Sequence, residues 1–283
     1  MFPKQDPFRF DVTQFGIVTV SVANLRQHPL FQSELIDQLI LGSVVPVFEE
    51  QNDFYLVQNW DGYRGWLSKA SLVLKPRDEA QQWHNEATLL FIADHGWVRC
   101  KADLSSEPLT DLVLFANLKE RGSLEKFSHV ELPDGRRGYI PASQTDGEVR
   151  SKPPQATGAS IVSAARRFLG VSYLWGGTSP KAFDCSGLVQ TVFRLQGLYL
   201  PRDANQVIEL GEEIPIGSYD NLRAGDLLFF GKTQHRITHV AIYMSDSLYI
   251  HADGRVRINS LEPANDFYNE HRHKTLLTAK RLI

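Results

Sequence analysis

Over its first half the chain alternates short apolar β-rich runs with turn signals, and it changes character near residue 151. Val18-Thr-Val-Ser-Val22, Val44-Val-Pro-Val-Phe48 and Tyr55-Leu-Val57 read as strands, as do Ala87-Thr-Leu-Leu-Phe-Ile92, Gly96-Trp-Val-Arg-Cys100 and Leu112-Val-Leu-Phe115. A repeat organises them. Asp61-Gly-Tyr-Arg-Gly-Trp-Leu67 recurs as Asp134-Gly-Arg-Arg-Gly-Tyr-Ile140, each an Asp-Gly turn running into an aromatic-aliphatic strand. Short strands separated by such turns predict two small β-barrels, over 1–78 and 79–150, rather than a βαβ sheet. Glu34-Leu-Ile-Asp-Gln-Leu-Ile-Leu41 departs from the pattern, and its apolar spacing before Gly42 predicts a short helix or a distorted loop.

Ser151-Lys-Pro-Pro-Gln-Ala-Thr-Gly158 predicts an extended linker, 151–158, ahead of a third region at 159–283. There Ile161, Ala164, Ala165, Phe168 and Leu169 form a helical stripe ending at Gly170. A second helix, starting at Asp184 or Cys185, carries Leu188, Val189, Val192, Phe193 and Leu195 to Gly197. Strands follow at 226–230, 240–244, 247–251 and near Leu276. Helices first and an antiparallel sheet afterwards predict an α+β domain.

Charge changes the picture by exclusion. A net charge of -3 with 22% charged residues leaves no basic footprint for nucleic acid or an anionic membrane. Two cysteines cannot build a disulfide scaffold, and one alone is a candidate reactive thiol. The first ten residues lack the apolar run of a signal peptide, and no stretch approaches the roughly 18 apolar residues of a membrane span. The expectation is a soluble, cytoplasmic protein.

Cys185 is the candidate nucleophile. A helix start offers unpaired N–H groups and the positive end of the helix dipole, which favour thiolate over thiol and can hold an oxyanion. A thiol also needs a base beside it. His239 begins one predicted strand and His251 ends the next. A hairpin centred on Ser245 pairs Tyr243 with Ser247, Ala241 with Tyr249 and His239 with His251, putting both imidazoles on one face. A zinc set of His235, His239, His251 and Cys185 is the competing reading. It is set aside because the 235–239 segment reads as a loop and no Cys-x-x-Cys or His-Glu-x-x-His accompanies it; no metal or cofactor is expected. His271 and His273 read as solvated, Cys100 as a buried apolar-like residue, and Trp175 as aromatic core.

Asp184-Cys-Ser-Gly-Leu188, Ala224-Gly-Asp-Leu-Leu-Phe-Phe230, His239-Val-Ala-Ile-Tyr243 and His251-Ala252 together resemble the NlpC-type family of papain-like bacterial cysteine peptidases. The likeness covers roughly 157–283. It implies Cys185 as nucleophile, His239 as general base and acid, His251 as the third, orienting residue, and Tyr173 beside the nucleophile, where its hydroxyl helps hold the oxyanion. The repeated motif upstream resembles bacterial SH3-like domains. The whole arrangement is similar to leaderless γ-D-glutamyl-L-diamino acid endopeptidases, which process free murein tripeptides during cytoplasmic cell-wall recycling. That likeness implies a short substrate, L-Ala-γ-D-Glu-diamino acid, whose free ammonium is held by Asp184, Ser186, Tyr63 and an acid, here Glu34. Arg202 would meet the D-glutamate α-carboxylate. Two departures stand out: Ala204 where serine is frequent, and a Ser245-Asp-Ser247 turn without the usual glycine. The competing functions are a thiol-dependent amidase or acyltransferase, opposed by the order Cys then His, and a non-catalytic wall-peptide-binding protein.

Overall fold

Both copies of the Asp-Gly motif close a β-hairpin by the same device. In the computed structural model, which describes residues 5–146, 155–217, 219–233 and 236–283, Asp61 Oδ1 accepts from the Tyr63 N–H at 3.0 Å and Asp134 Oδ1 from the Arg136 N–H at 3.2 Å. Gly62 and Gly135 take φ values of +90° and +86°, which a side chain resists. One turn joins Phe54–Gln58 to Arg64–Ser68, the other Phe127–Glu131 to Arg137–Pro141. The second glycine of each copy lies against a neighbouring strand. A Cβ would come within 2.8 Å of the Arg26 carbonyl oxygen at Gly65, and 2.5 Å of that of Arg99 at Gly138.

The chain divides into two units, 5–151 and 152–283. The first holds two antiparallel sheets. One orders its strands 35–40, 22–26, 64–68, 54–58, 44–51, 14–18 and 72–76; the other 108–113, 95–99, 137–141, 127–131, 117–124 and 89–90. Among the described residues, pairing closes neither sheet on itself. The helix Arg77–Glu86 buries Trp83, whose Nε1 donates to the Gly42 carbonyl at 3.0 Å.

Residues 34–41 are not helical. Leu35–Ile40 is a strand paired with Val22–Arg26. Its apolar residues face two ways: Leu39 enters the core with Leu25, Val57 and Leu67. Ile40 and the following Leu41 enter the core with Phe91, Val113 and Val130. A strand buried on both sides mimics helical spacing. Its Asp37 is fully buried and accepts from Asn59 Nδ2 at 2.6 Å. Cys100, expected to be buried, is exposed just beyond the strand His95–Arg99.

In the second unit Thr157 and Ser160 cap the helix Gly158–Arg166 reciprocally, each side-chain oxygen accepting from the other's N–H, at 3.1 and 3.0 Å. Of the predicted linker, residues 151–154 lie outside the described residues. The helix Cys185–Leu195 buries Leu188, Val189, Val192 and Phe193. It packs on a six-stranded antiparallel sheet ordered 212–214, 276–281, 227–233, 236–245, 248–253 and 255–260. The last strand was not expected. It follows an Asp253-Gly254 turn in which Gly254 takes φ +68°. Among the described residues no helix is long and apolar enough to cross a membrane.

Candidate active site

Cys185 is the first residue of its helix, and Asp184 is the N-cap, accepting from the Gly187 N–H at 2.7 Å. Gly187 is required there: a Cβ would sit 2.1 Å from the Gly177 carbonyl oxygen. The backbone N–H groups of Val240 and Ser186 reach the Cys185 sulfur. They do not make it a thiolate. Cys185 keeps some solvent exposure as a residue. Burial of its thiol nonetheless pushes the pKa up to about 11, with the Asp184 charge adding to the rise and the N–H groups opposing it. The thiolate expected from the helix terminus gives way to a resting thiol, because desolvation outweighs the amides. Val240 follows His239, so the sulfur bonds to the strand that carries the candidate base.

The two histidines meet, though not in the expected register. Observed partners are Ile242 with Ile250, Tyr243 with Tyr249 and Ser245 with Leu248. The loop is only Asp246 and Ser247, both at positive φ (50° and 63°), the geometry of a tight hairpin turn, here without glycine. The two-residue shift keeps both side chains on one face, and they touch on the diagonal, with His239 Nε2 2.7 Å from His251 Nδ1. His239 is 4% and His251 0% exposed. The next strand extends the contact: His251 Nε2 lies 2.9 Å from Asn259 Oδ1. Asn259 was not among the expected site residues. Its signal was present in Arg255-Val-Arg-Ile-Asn259, alternating polar and apolar after an Asp-Gly turn.

Both imidazoles are held neutral. Burial lowers His239 well below its usual value, with His251, Arg272 and His271 adding to the effect. Burial likewise lowers His251 to about 4, opposed by the Asn259 hydrogen bond and Asp253 and aided by Arg272 and Arg257. The unfolded chain binds these protons near the ordinary pKa of about 6.5, and the folded chain does not. Folding stability is therefore lost as pH falls from about 6.5 toward 4, by at most about 3 kcal/mol from His251 alone. Thermal melts across this range should show a falling midpoint, less steep in His251→Gln. An equal slope in the two proteins would remove His251 from the account.

Tyr173 is half-buried, its hydroxyl pKa raised by burial and then by the Cys185 sulfur, which is charged only over the alkaline range where the phenol would ionise. Its N–H donates to the Gly254 carbonyl at 3.0 Å, tying it to the turn between the strands of His251 and Asn259. Asp184, Ser186 and Arg202 come together. Arg202, 2% exposed, donates from Nη1 to Asp184 Oδ1 at 3.2 Å and to Ser186 Oγ at 2.8 Å, and from Nη2 to Asp184 Oδ2 at 2.5 Å. Tyr63, part-buried, and Glu34, exposed, belong to the other unit. Trp175 is 59% exposed rather than core. Its loop is held to the helix start by the Gly176 N–H, which donates to Asp184 Oδ2 at 2.9 Å, and the indole stays outside. His273 is half-buried rather than fully solvated, its Nδ1 3.0 Å from the Tyr268 hydroxyl. His271 is exposed, and His235 lies outside the described residues.

Residues 170–277 match the NlpC/P60 family, and residues 21–73 match the bacterial SH3 domain. The chain is 28% identical over 267 residues to dipeptidyl-peptidase 6 of Lysinibacillus sphaericus, covering 90% of this chain and 94% of that protein. It is also 28% identical over 233 residues to the γ-D-glutamyl-L-lysine dipeptidyl-peptidase of Bacillus subtilis, covering 76% of this chain and 71% of that one. An NlpC/P60 family protein from Bacillus cereus shares the fold, with a TM-score of 0.79 at 22% identity over 95% of this chain and 99% of that one. The chain carries an NlpC/P60 domain together with a bacterial SH3 domain.

Proposed function

We propose that this protein is a cysteine peptidase that hydrolyses the γ-D-glutamyl–diamino acid bond of short murein peptides with a free N-terminal L-alanine, serving cell-wall peptide recycling. The observation that carries the reading is the contact sequence from the helix-start Cys185 to the strand of His239 and on to His251. Relatives named γ-D-glutamyl-L-lysine dipeptidyl-peptidase supply the substrate class. The two sheets of the first unit are read here as SH3-like barrels, divided at residue 78, and the second unit as a papain-like α+β domain.

The chemistry follows from a resting thiol and neutral imidazoles. As Cys185 Sγ attacks the γ-glutamyl carbonyl carbon, its proton passes to His239, and the carbonyl π pair moves onto oxygen. The Tyr173 hydroxyl and helix-terminal N–H groups stabilise that oxyanion. Collapse breaks the C–N bond, and His239 returns the proton to the leaving amine. Water, deprotonated by His239, then attacks the thioester, and the proton goes back to sulfur as the acid leaves. Asp184, Ser186 and Arg202 are assigned to holding the substrate.

Mass spectrometry of the full chain with L-Ala-γ-D-Glu-meso-diaminopimelate and its N-acetyl form tests the reading. Diaminopimelate should be released from the free peptide at least about 10²-fold faster, because an acylated N-terminus leaves buried polar groups unpaired. Equal release from both would remove the N-terminal requirement. Release from neither would overturn the proposed substrate.

A further inference from the structure

Four side chains on three adjacent strands determine where the protons of the histidine pair sit. Asn259 is 8% exposed, and its amide cannot turn over. Its Nδ2 donates to the Phe267 carbonyl at 2.8 Å, an acceptor only. Its Oδ1 receives Arg257 Nε at 3.0 Å, a donor only. Both contacts would become repulsive on exchange of oxygen and nitrogen. The oxygen therefore faces His251 Nε2 at 2.9 Å, and that nitrogen must carry a proton. A neutral imidazole has one N–H, so His251 Nδ1 is bare and accepts. Its partner at 2.7 Å, His239 Nε2, then carries the proton. By the same rule His239 Nδ1 is left with its lone pair.

We propose that Asn259 is a positioning residue for the catalytic base: its fixed amide oxygen orders the protons of His251 and His239 so that His239 presents a bare Nδ1 to the Cys185 thiol. This deepens the peptidase reading and rests on it for the identity of the base. The register makes the arrangement possible. His251 stands opposite Arg257, and Asn259 opposite Tyr249, so Asn259 reaches His251 on the diagonal, as His251 reaches His239. Arg257 and Asn259, two apart on one strand, share a face, which lets the guanidinium hold the amide oxygen.

Without the oxygen, the buried His251 Nε2–H has no acceptor. The alternative tautomer, with the proton on Nδ1, then donates toward His239 Nε2 and forces that ring's proton onto Nδ1, the nitrogen assigned to the thiol. The base is lost although both rings remain in place. Leucine, similar in volume, removes the acceptor; aspartate keeps it and adds a charge that favours imidazolium.

The experiment uses the full chain with ¹⁵N-labelled histidine rings. In the wild-type protein near neutral pH, NMR should find His239 protonated at Nε2 and bare at Nδ1, and His251 protonated at Nε2. Asn259→Leu should move both rings to Nδ1–H and lower kcat about 10²–10³-fold with KM within about twofold. Asn259→Asp should recover kcat to within about tenfold of wild type and move the acid limb of kcat/KM to higher pH. A wild-type His239 protonated at Nδ1 overturns the proposal and requires no variant. So does Asn259→Leu with wild-type tautomers and kcat. If the wild-type chain cleaves neither murein peptide, the substrate reading fails by itself. The nitrogen shifts still decide the proton arrangement.

Discussion

Alanine at Cys185 is expected to lower kcat/KM by about 10⁶-fold, alanine at His239 by a similar factor, and the double substitution by little more than either one. The reason is the resting state. With its pKa pushed up to about 11 by burial, the Cys185 thiol holds its proton at neutral pH and cannot attack unless a base takes it. His239, buried and neutral, can take it but offers no nucleophile of its own. The two side chains thus share one proton transfer, and removing either removes the step. Initial rates on the free tripeptide for wild type, both single variants and the double variant test this. Losses that multiply in the double variant would mean that the groups act independently, and a Cys185→Ala protein that still turns over would place the nucleophile elsewhere.

Arg202→Leu is expected to destabilise the second unit by about 3–5 kcal/mol. The guanidinium is 2% exposed and sends both terminal nitrogens to Asp184, with a further bond to Ser186. Its removal leaves a carboxylate in a nearly closed site, still accepting from the N–H groups of Gly176 and Gly187 and from the Ser186 hydroxyl but with its charge unpaired. Asp184→Asn in the same protein should restore part of the loss by discharging that site, whereas two unrelated surface changes would simply add. Urea unfolding of the three variants reads the effect. A single-variant cost below about 1 kcal/mol would mean that solvent reaches the pair and that it is worth no more than a surface ion pair. Because Asp184 caps the helix that begins at Cys185, the same substitution should also slow turnover in molecules that remain folded.

The elements that position the chemistry were legible where one residue type could satisfy one local demand. The Asp-Gly motifs announced both hairpin turns because only glycine takes their positive φ cheaply, and Asp184-Cys185-Ser186-Gly187 announced a helix start. The meeting of His239 with His251 was legible from their places at the ends of two adjoining strands. What failed depended on two-sided burial or on partners far along the chain. Leu35–Ile40 looked helical because it feeds two cores, and Trp175 looked internal because its own sequence does not say that the Gly176 N–H will be held by Asp184. The histidine register was off by two because a turn of Asp246 and Ser247 was taken to be longer. Asn259 was missed although its strand alternates clearly, since an asparagine on a strand carries no chemical signal until the neighbouring strand delivers His251.

The contacts from His239 to His251 to Asn259 step diagonally across neighbouring strands, always between side chains on one face. A slip of one residue in either pairing would turn one partner to the opposite face and break the contact there. Damage to this sheet should therefore silence molecules one at a time rather than slow them all. In a heat-stressed or partly refolded preparation, the count of working sites should fall while the turnover of each survivor stays constant, so active-site titration measures the intact fraction directly.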